Sequence, residues 1–102
     1  MTSVRLSGGI LDDVKVADFS WIAAAPIATK TLADYGATVV RVESAKRLDS
    51  SRQTGPFAGD KPGVNRSGFF ADFNTSKRDI TLNLKHPDAF AVAKRLIAWA
   101  DV

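Results

Sequence analysis

The sequence predicts an α/β fold built on a parallel sheet, and three observations carry that reading. Two short β-branched runs, 14–19 and 37–42, flank a helical stretch opened by Pro26 and closed by Gly36. An alternating run at 80–84 is followed at once by an amphipathic stretch that begins at Pro87. Between these two units, residues 44–68 are rich in Gly, Pro and basic side chains and poor in apolar ones.

Val14 to Phe19 is read as the first strand, a short apolar run of the kind buried on both faces. Ser20 to Ala25 is the connecting turn. Pro26 suits the first helical position, where a missing N–H costs nothing. Ile27 to Tyr35 continues the helix, with Ala28, Leu32 and Tyr35 near one face. Gly36 suits the residue after the helix, where a left-handed conformation is common. Ala37 to Val42 is the second strand, again β-branched. A strand–helix–strand unit of about 30 residues has the size of a right-handed parallel crossover.

Residues 44–68 form a long basic loop, a length that is often functional inside a compact domain. Gly68 to Asn74 is read as a short helix or turn. Ile80 to Leu84 alternates as a strand near a sheet edge, and Pro87 opens a last helix that runs to Ala100. Phe90, Ala93, Ile97 and Ala100 share one face of it, with Leu96 beside them. The expectation is another strand after this helix, an incomplete sheet, and apolar surface left open around Phe90, Leu96 and Ile97.

Composition narrows the function. Hydrophobic residues make up 45% of the 102 and charged residues 25%, values of a globular chain. With no cysteine and one histidine, His86, thiolate sites, disulfide scaffolds and histidine-rich metal sites are excluded. No apolar run reaches about 18 residues, and Met1 to Gly9 lacks the pattern of a secretory signal, so the expectation is a cytoplasmic protein with no membrane partner. The net charge of +3 is uneven: residues 41 to 85 hold nine Lys and Arg against five acids. That surplus suits a phosphate-bearing ligand, or a solvated loop. Nucleic acid is the weakest partner, because no recognition helix or stacking pattern accompanies the charge.

Two short segments lie where an open α/β sheet binds ligands, beyond the carboxyl ends of its strands, and a third directly precedes the last strand. Ser20 to Pro26 is a turn of small residues opening a helix, without the glycines of a dinucleotide fingerprint. Asn74-Thr75-Ser76-Lys77-Arg78 is a surface turn, or a group whose paired cations hold a phosphate. Lys85-His86-Pro87 lies at the exit of the third strand. No acid or nucleophile is paired with His86 in sequence, and no Ser-His-Asp set, paired carboxylates or phosphate loop can be assembled, so no catalytic or metal-binding residue is assigned. Asp18 is read as a carboxylate hydrogen-bonded at the strand end.

These segments, in order and spacing, resemble the N-terminus of the family III CoA-transferases, a superfamily that includes formyl-CoA and carnitine CoA-transferases and the α-methylacyl-CoA racemases. The resemblance runs from Leu11 to Val102, through Leu11–Ser20, Ala25-Pro26, Leu32–Glu43, Phe73–Lys85 and Ala100–Val102. It implies that residues 1–102 are the N-terminal part of a large Rossmann-like domain, and that complete members form interlocked homodimers. It implies an enzyme that moves CoA between an acyl-CoA thioester and a carboxylic acid, with CoA as substrate and no tightly bound cofactor. Alternatives are a racemase of the same superfamily, or a truncated CoA-binding remnant without activity.

On that mapping Ala23 and Ala24 sit beside the thioester end, while Leu82, Asn83, Leu84 and Lys85 flank the nucleotide, with Lys85 near its phosphates. Three positions depart from the family pattern. Ala25 stands where glycine is frequent, Ala23 where some members carry glutamine, and Ser44 where a basic residue often follows Glu43, a role Lys46 or Arg47 would then fill. The family's nucleophilic aspartate is expected beyond residue 102, so the chain alone is expected to be inactive.

Overall fold

A computed structural model describes residues 9–102. Three parallel strands form one sheet in the order β1-β2-β3: β1 is Lys15–Asp18, β2 is Thr38–Glu43 and β3 is Arg78–Thr81. Three α-helices accompany them: α1 at Ala24–Asp34, α2 at Gly68–Phe73 and α3 at Ala89–Trp99. The α/β class and the parallel sense agree with the sequence.

The core forms where α1 lies on β1 and β2. Val16, Ala33, Ala37 and Val39 are buried together, with Leu11, Val14 and Leu32 packed against them. The buried stripe of α1 is Pro26 and Ala33, not Ala28, Leu32 and Tyr35: Ala28 and Tyr35 are exposed. Small side chains at 26 and 33 let the helix settle close to the sheet, and the phenol of Tyr35 stays in water. Pro26 is the third helical residue rather than the first. That position is also harmless, because N–H groups throughout the first turn lack partners inside a helix.

Gly36 ends α1 at φ +111°. Its N–H donates to Ala33 O at 3.0 Å, and that of Ala37 donates to Leu32 O at 3.0 Å, the paired bonds of a Schellman cap. A side chain at 36 would meet Gly9 N at 2.8 Å. The chain then turns directly into β2.

The segment 44–68 is not structureless. Two 3-10 turns, Ser50–Gln53 and Ala58–Asp60, divide it, and a bridge between Phe57 and Ser67 closes it. Ser67 then caps α2, its Oγ accepting from Phe70 N at 3.1 Å.

β3 starts two residues earlier than its alternation suggests. Leu82 N–H still donates to Glu43 O at 2.8 Å, but β2 has ended there and Ser44 turns back to bridge Arg47. Asn83 completes the stop: its Oδ1 accepts from Lys85 N at 3.1 Å and its carbonyl from His86 N at 2.9 Å. Pro87 belongs to the turn that follows, in which Ala89 N–H donates to His86 O at 3.0 Å, so α3 begins at Ala89.

α3 packs on β1; its buried residues are Ala89 and Ala93, with Leu96 and Ala100 half-buried. Phe90 and Ile97 are exposed, as expected, while Leu96 is partly covered. Beyond α3 the backbone returns to the free side of β1. Val102 N–H donates to Lys15 O at 3.1 Å, and Ala17 N–H to Val102 O at 2.9 Å, which is parallel-ladder bonding. The spatial order is therefore β3, β2, β1, then residues 101–102. The chain winds outward from β1 to β3 and crosses back to the opposite side of β1. Such a reversal opens a crevice at the carboxyl end of the strand where it occurs.

Candidate functional site

The carboxyl ends of β1 and β2 and the exit of β3 enclose a cavity of about 700 Å³. Phe19 and Trp21 come from the end of β1, Val42, Glu43 and Ser44 from the end of β2, and Asn83, Leu84 and Lys85 from the turn after β3. Lys46 and Arg47, brought back by the Ser44–Arg47 bridge, add two cations. The result is an apolar wall of Phe19, Trp21, Val42 and Leu84 edged by three positive side chains, the composition of a site for a part-apolar, polyanionic ligand. The Arg47 guanidinium lies 5.9 Å from the centre of the Trp21 ring.

The sequence-derived candidates divide on this geometry. Asn83, Leu84 and Lys85 line the cavity together. Leu82 faces a smaller depression of about 210 Å³ beside His86 and Val92. Ala23 and Ala24 occupy the N-terminus of α1, in the turn that also carries Trp21, and do not line the cavity. Ala23 offers no side-chain cap to the helix. Trp21 and Phe19 are lining residues that sequence reasoning did not single out. Their only signal was their place at the carboxyl end of the first strand.

Lys77 is not available for a phosphate. Its side chain is 2% exposed, and its ammonium pairs with Asp18 at 3.0 Å and with Asn74 Oδ1 at 2.9 Å. Asp18 also accepts from Ser20 N at 2.8 Å, from the Ser20 hydroxyl, and from Thr29 Oγ1 at 2.8 Å. Burial alone would raise the Asp18 carboxyl, but these bonds outweigh it and hold the group below its ordinary range.

Behind the cavity lies a buried ionic cluster. Arg41, 1% exposed, bonds Glu43 at 3.0 Å and also bonds Asp49. Arg52 grips the same Glu43 with two nitrogens, at 2.7 and 2.8 Å, and ties the basic loop down through Val64 O at 2.8 Å and Asn65 Oδ1 at 3.0 Å. Its guanidinium lies 3.8 Å from the centre of the Phe70 ring, which docks α2 on the cluster. Asp79 meets both arginines at 3.4 Å. Burial works to raise Glu43, yet Arg52, the Asp49 N–H, Asp79 and Arg41 bring it down to about 2. Asp79 is pushed up to about 6, first by burial and then by its hydrogen bond with Glu43. Glu43 is the one carboxylate lining the cavity among the described residues. Held by two arginines, it is a poor nucleophile.

The turn after β1 is strained. Ile22, a β-branched residue, sits at φ +75°. That conformation costs roughly 1–3 kcal/mol and persists only where neighbouring contacts enforce it.

Comparison with known proteins gives a consistent result. The family profile for CoA-transferase family III matches residues 11–102. A succinyl-CoA:glutarate CoA-transferase of Mus musculus is 37% identical over 93 residues, covering 90% of this chain and 20% of the relative. A formyl-CoA:oxalate CoA-transferase of Rhodopseudomonas palustris is 37% identical over 92 residues, covering 90% and 21%. The crystal structure of a CAIB/BAIF family protein from Brucella suis superposes with a TM-score of 0.78 at 32% identity, over 92% of this chain and 25% of that one. The chain thus spans about a fifth to a quarter of the length of the curated relatives it matches.

Proposed function

This chain belongs to CoA-transferase family III, and from that premise we propose that it builds the first half of a CoA site for transfer of CoA between an acyl-CoA thioester and a carboxylic acid. The observation that carries the proposal is the cavity at the carboxyl ends of β1 and β2, where an apolar wall meets Lys46, Arg47 and Lys85. CoA is itself part apolar arm, part aromatic base and part phosphate. Asn83, Leu84 and Lys85 flank the nucleotide, and Lys85 bonds its phosphates. Lys46 and Arg47 supply the positive charge absent at Ser44. Ala23 and Ala24, at the mouth of α1, face the thioester end, where the two methyl groups leave room for an acyl chain but offer it no hydrogen bond.

The acyl-accepting carboxylate, in this reading, comes from a part of the family's fold other than residues 1–102. Glu43 supports that reading, because its ion pairs leave it neither the exposure nor the basicity for attack. The substrates are an acyl-CoA and a carboxylic acid, used without a resident cofactor, and the working unit is a homodimer. No helix among the described residues is long and apolar enough to cross a membrane, and the reading places the activity in the cytoplasm.

Calorimetric titration with CoA tests the proposal. Saturable binding by the native protein, weakened in Lys85→Ala, is the expected result. Native protein that takes up no CoA, or a Lys85→Ala variant of equal affinity, contradicts it.

A further inference from the structure

Ile22 needs a reason to remain left-handed, and its own side chain does not supply one, being 48% exposed. Its backbone N–H donates to Oδ2 of Asp49 at 3.4 Å, across 27 residues of sequence. That carboxylate is fully buried and held from two other directions. Oδ2 also accepts from Arg41 Nη2, while Oδ1 accepts from Ser51 N at 2.9 Å and from Ser51 Oγ at 2.8 Å. Arg41 is anchored in the central strand and fixed by Glu43 through its other terminal nitrogen. The carboxylate therefore cannot rotate away, and it presents a fixed, charged acceptor to a single exposed turn.

We infer that Asp49, oriented by Arg41, is a positioning residue of the ligand site, holding the Ile22 backbone left-handed and so fixing how Trp21 enters the cavity and how Ala23 and Ala24 enter α1. The inference rests on the reading of this cavity as a CoA site. Trp21 and Ala23 are the immediate chain neighbours of Ile22, so a change of φ at 22 re-aims both. The cost of the conformation is met by the Asp49–Arg41 pair, neither member of which lines the cavity, and the turn is set before the ligand arrives. Glycine adopts positive φ without penalty. A glycine at this position would not need the Asp49 bond to reach the same turn.

The test is a double-mutant cycle on the native protein, with CoA affinity measured by calorimetry. Asp49→Asn is expected to raise the Kd roughly tenfold when residue 22 is Ile, and less than about threefold when the same change is made in the Ile22→Gly background. Equal losses in the two backgrounds, or no loss in either, overturn the positioning role. Because Asp49→Asn leaves Arg41 short of a buried partner and risks the fold, Ile22→Pro supplies an independent measurement. Proline removes the N–H and fixes φ negative at an exposed position. It should weaken CoA binding roughly tenfold and also lower the melting temperature, since it opposes a positive φ and removes a bonded N–H; an unaltered Kd in the folded variant overturns the inference. If the native protein binds no CoA, the CoA reading falls and this inference with it. Native binding with additive losses removes the positioning role alone.

Discussion

Lys77 Nζ lies 3.0 Å from Asp18 Oδ2, and the two side chains are 2% and 1% exposed. The pair sits at the carboxyl end of β1 and joins the segment before β3 to the strand that begins the ligand turn. Burial pulls the Lys77 ammonium below its ordinary value even with Asp18 beside it, so the pair is a structural tie rather than a phosphate clamp. Removing one partner strands a buried charge, whereas removing both charges does not. Lys77→Met should therefore cost about 3 kcal/mol in urea unfolding, and Asp18→Asn combined with Lys77→Met should recover most of the loss. Equal losses in the single and double variants would show that the charge pair is not what the stability reads.

Lys85 and Arg47 border the cavity from different segments, so their effects on CoA should be separable. Each replacement by Ala is expected to weaken CoA binding by about 1 kcal/mol, close to fivefold, in calorimetry. Raising the ionic strength should lower the native affinity more than that of either variant, since each has one screened contact fewer. Arg78, exposed and outside the cavity lining, serves as the control.

Asp79 gives the chain a pH signature. Its folded value of about 6 lies above its ordinary 3.8, so between these values the folded state holds a proton that the unfolded state has lost. Stability should fall as pH rises through that window. Glu43 acts in the opposite sense and at lower pH, contributing stability above its ordinary 4.5 that is lost as pH falls toward about 2. Thermal melts of the native chain should therefore decline from about pH 4 to about pH 6, and the decline should vanish in Asp79→Asn. A decline that survives the substitution assigns the proton elsewhere.

Gly36 closes α1 at φ +111°, with Gly9 N only 2.8 Å from where a side chain would begin. Gly36→Ala should cost about 2 kcal/mol in urea unfolding, from strain and contact together. A change within a few tenths of a kcal/mol would mean the Schellman cap does not fix this corner.

Much of the fold was legible because it depends on local pattern. The β-branched runs gave β1 and β2, Gly36 gave the end of α1, and the short helix or turn read at Gly68–Asn74 is α2. Errors arose where a neighbour decides. The alternation of Ile80, Leu82 and Leu84 continues past β3, but β2 offers no partner backbone beyond Glu43. Pro26 and Pro87 each mark a helix start within two residues without fixing it. The site divided in the same way. Position at a strand's carboxyl end singled out Lys85 and the turn from Ser20 to Pro26; Asn83, Leu84, Ala23 and Ala24 came from the family resemblance, and of all these Asn83, Leu84 and Lys85 line the cavity. The cluster of Arg41, Glu43, Asp49, Arg52 and Asp79 was invisible, because its members read as scattered charges until the loop folds back onto β2. The same blindness made Lys77 look like a surface cation.

The central claim is that CoA occupies the cavity lined by Trp21, and tryptophan fluorescence tests it most directly. The chain has two tryptophans, Trp21 and Trp99, and only Trp21 lines the cavity. In Trp99→Phe, titration with CoA should produce a saturable change in emission, and in Trp21→Phe that change should be absent. A saturable change in Trp21→Phe with none in Trp99→Phe, or no saturable change in the native protein, would contradict the account.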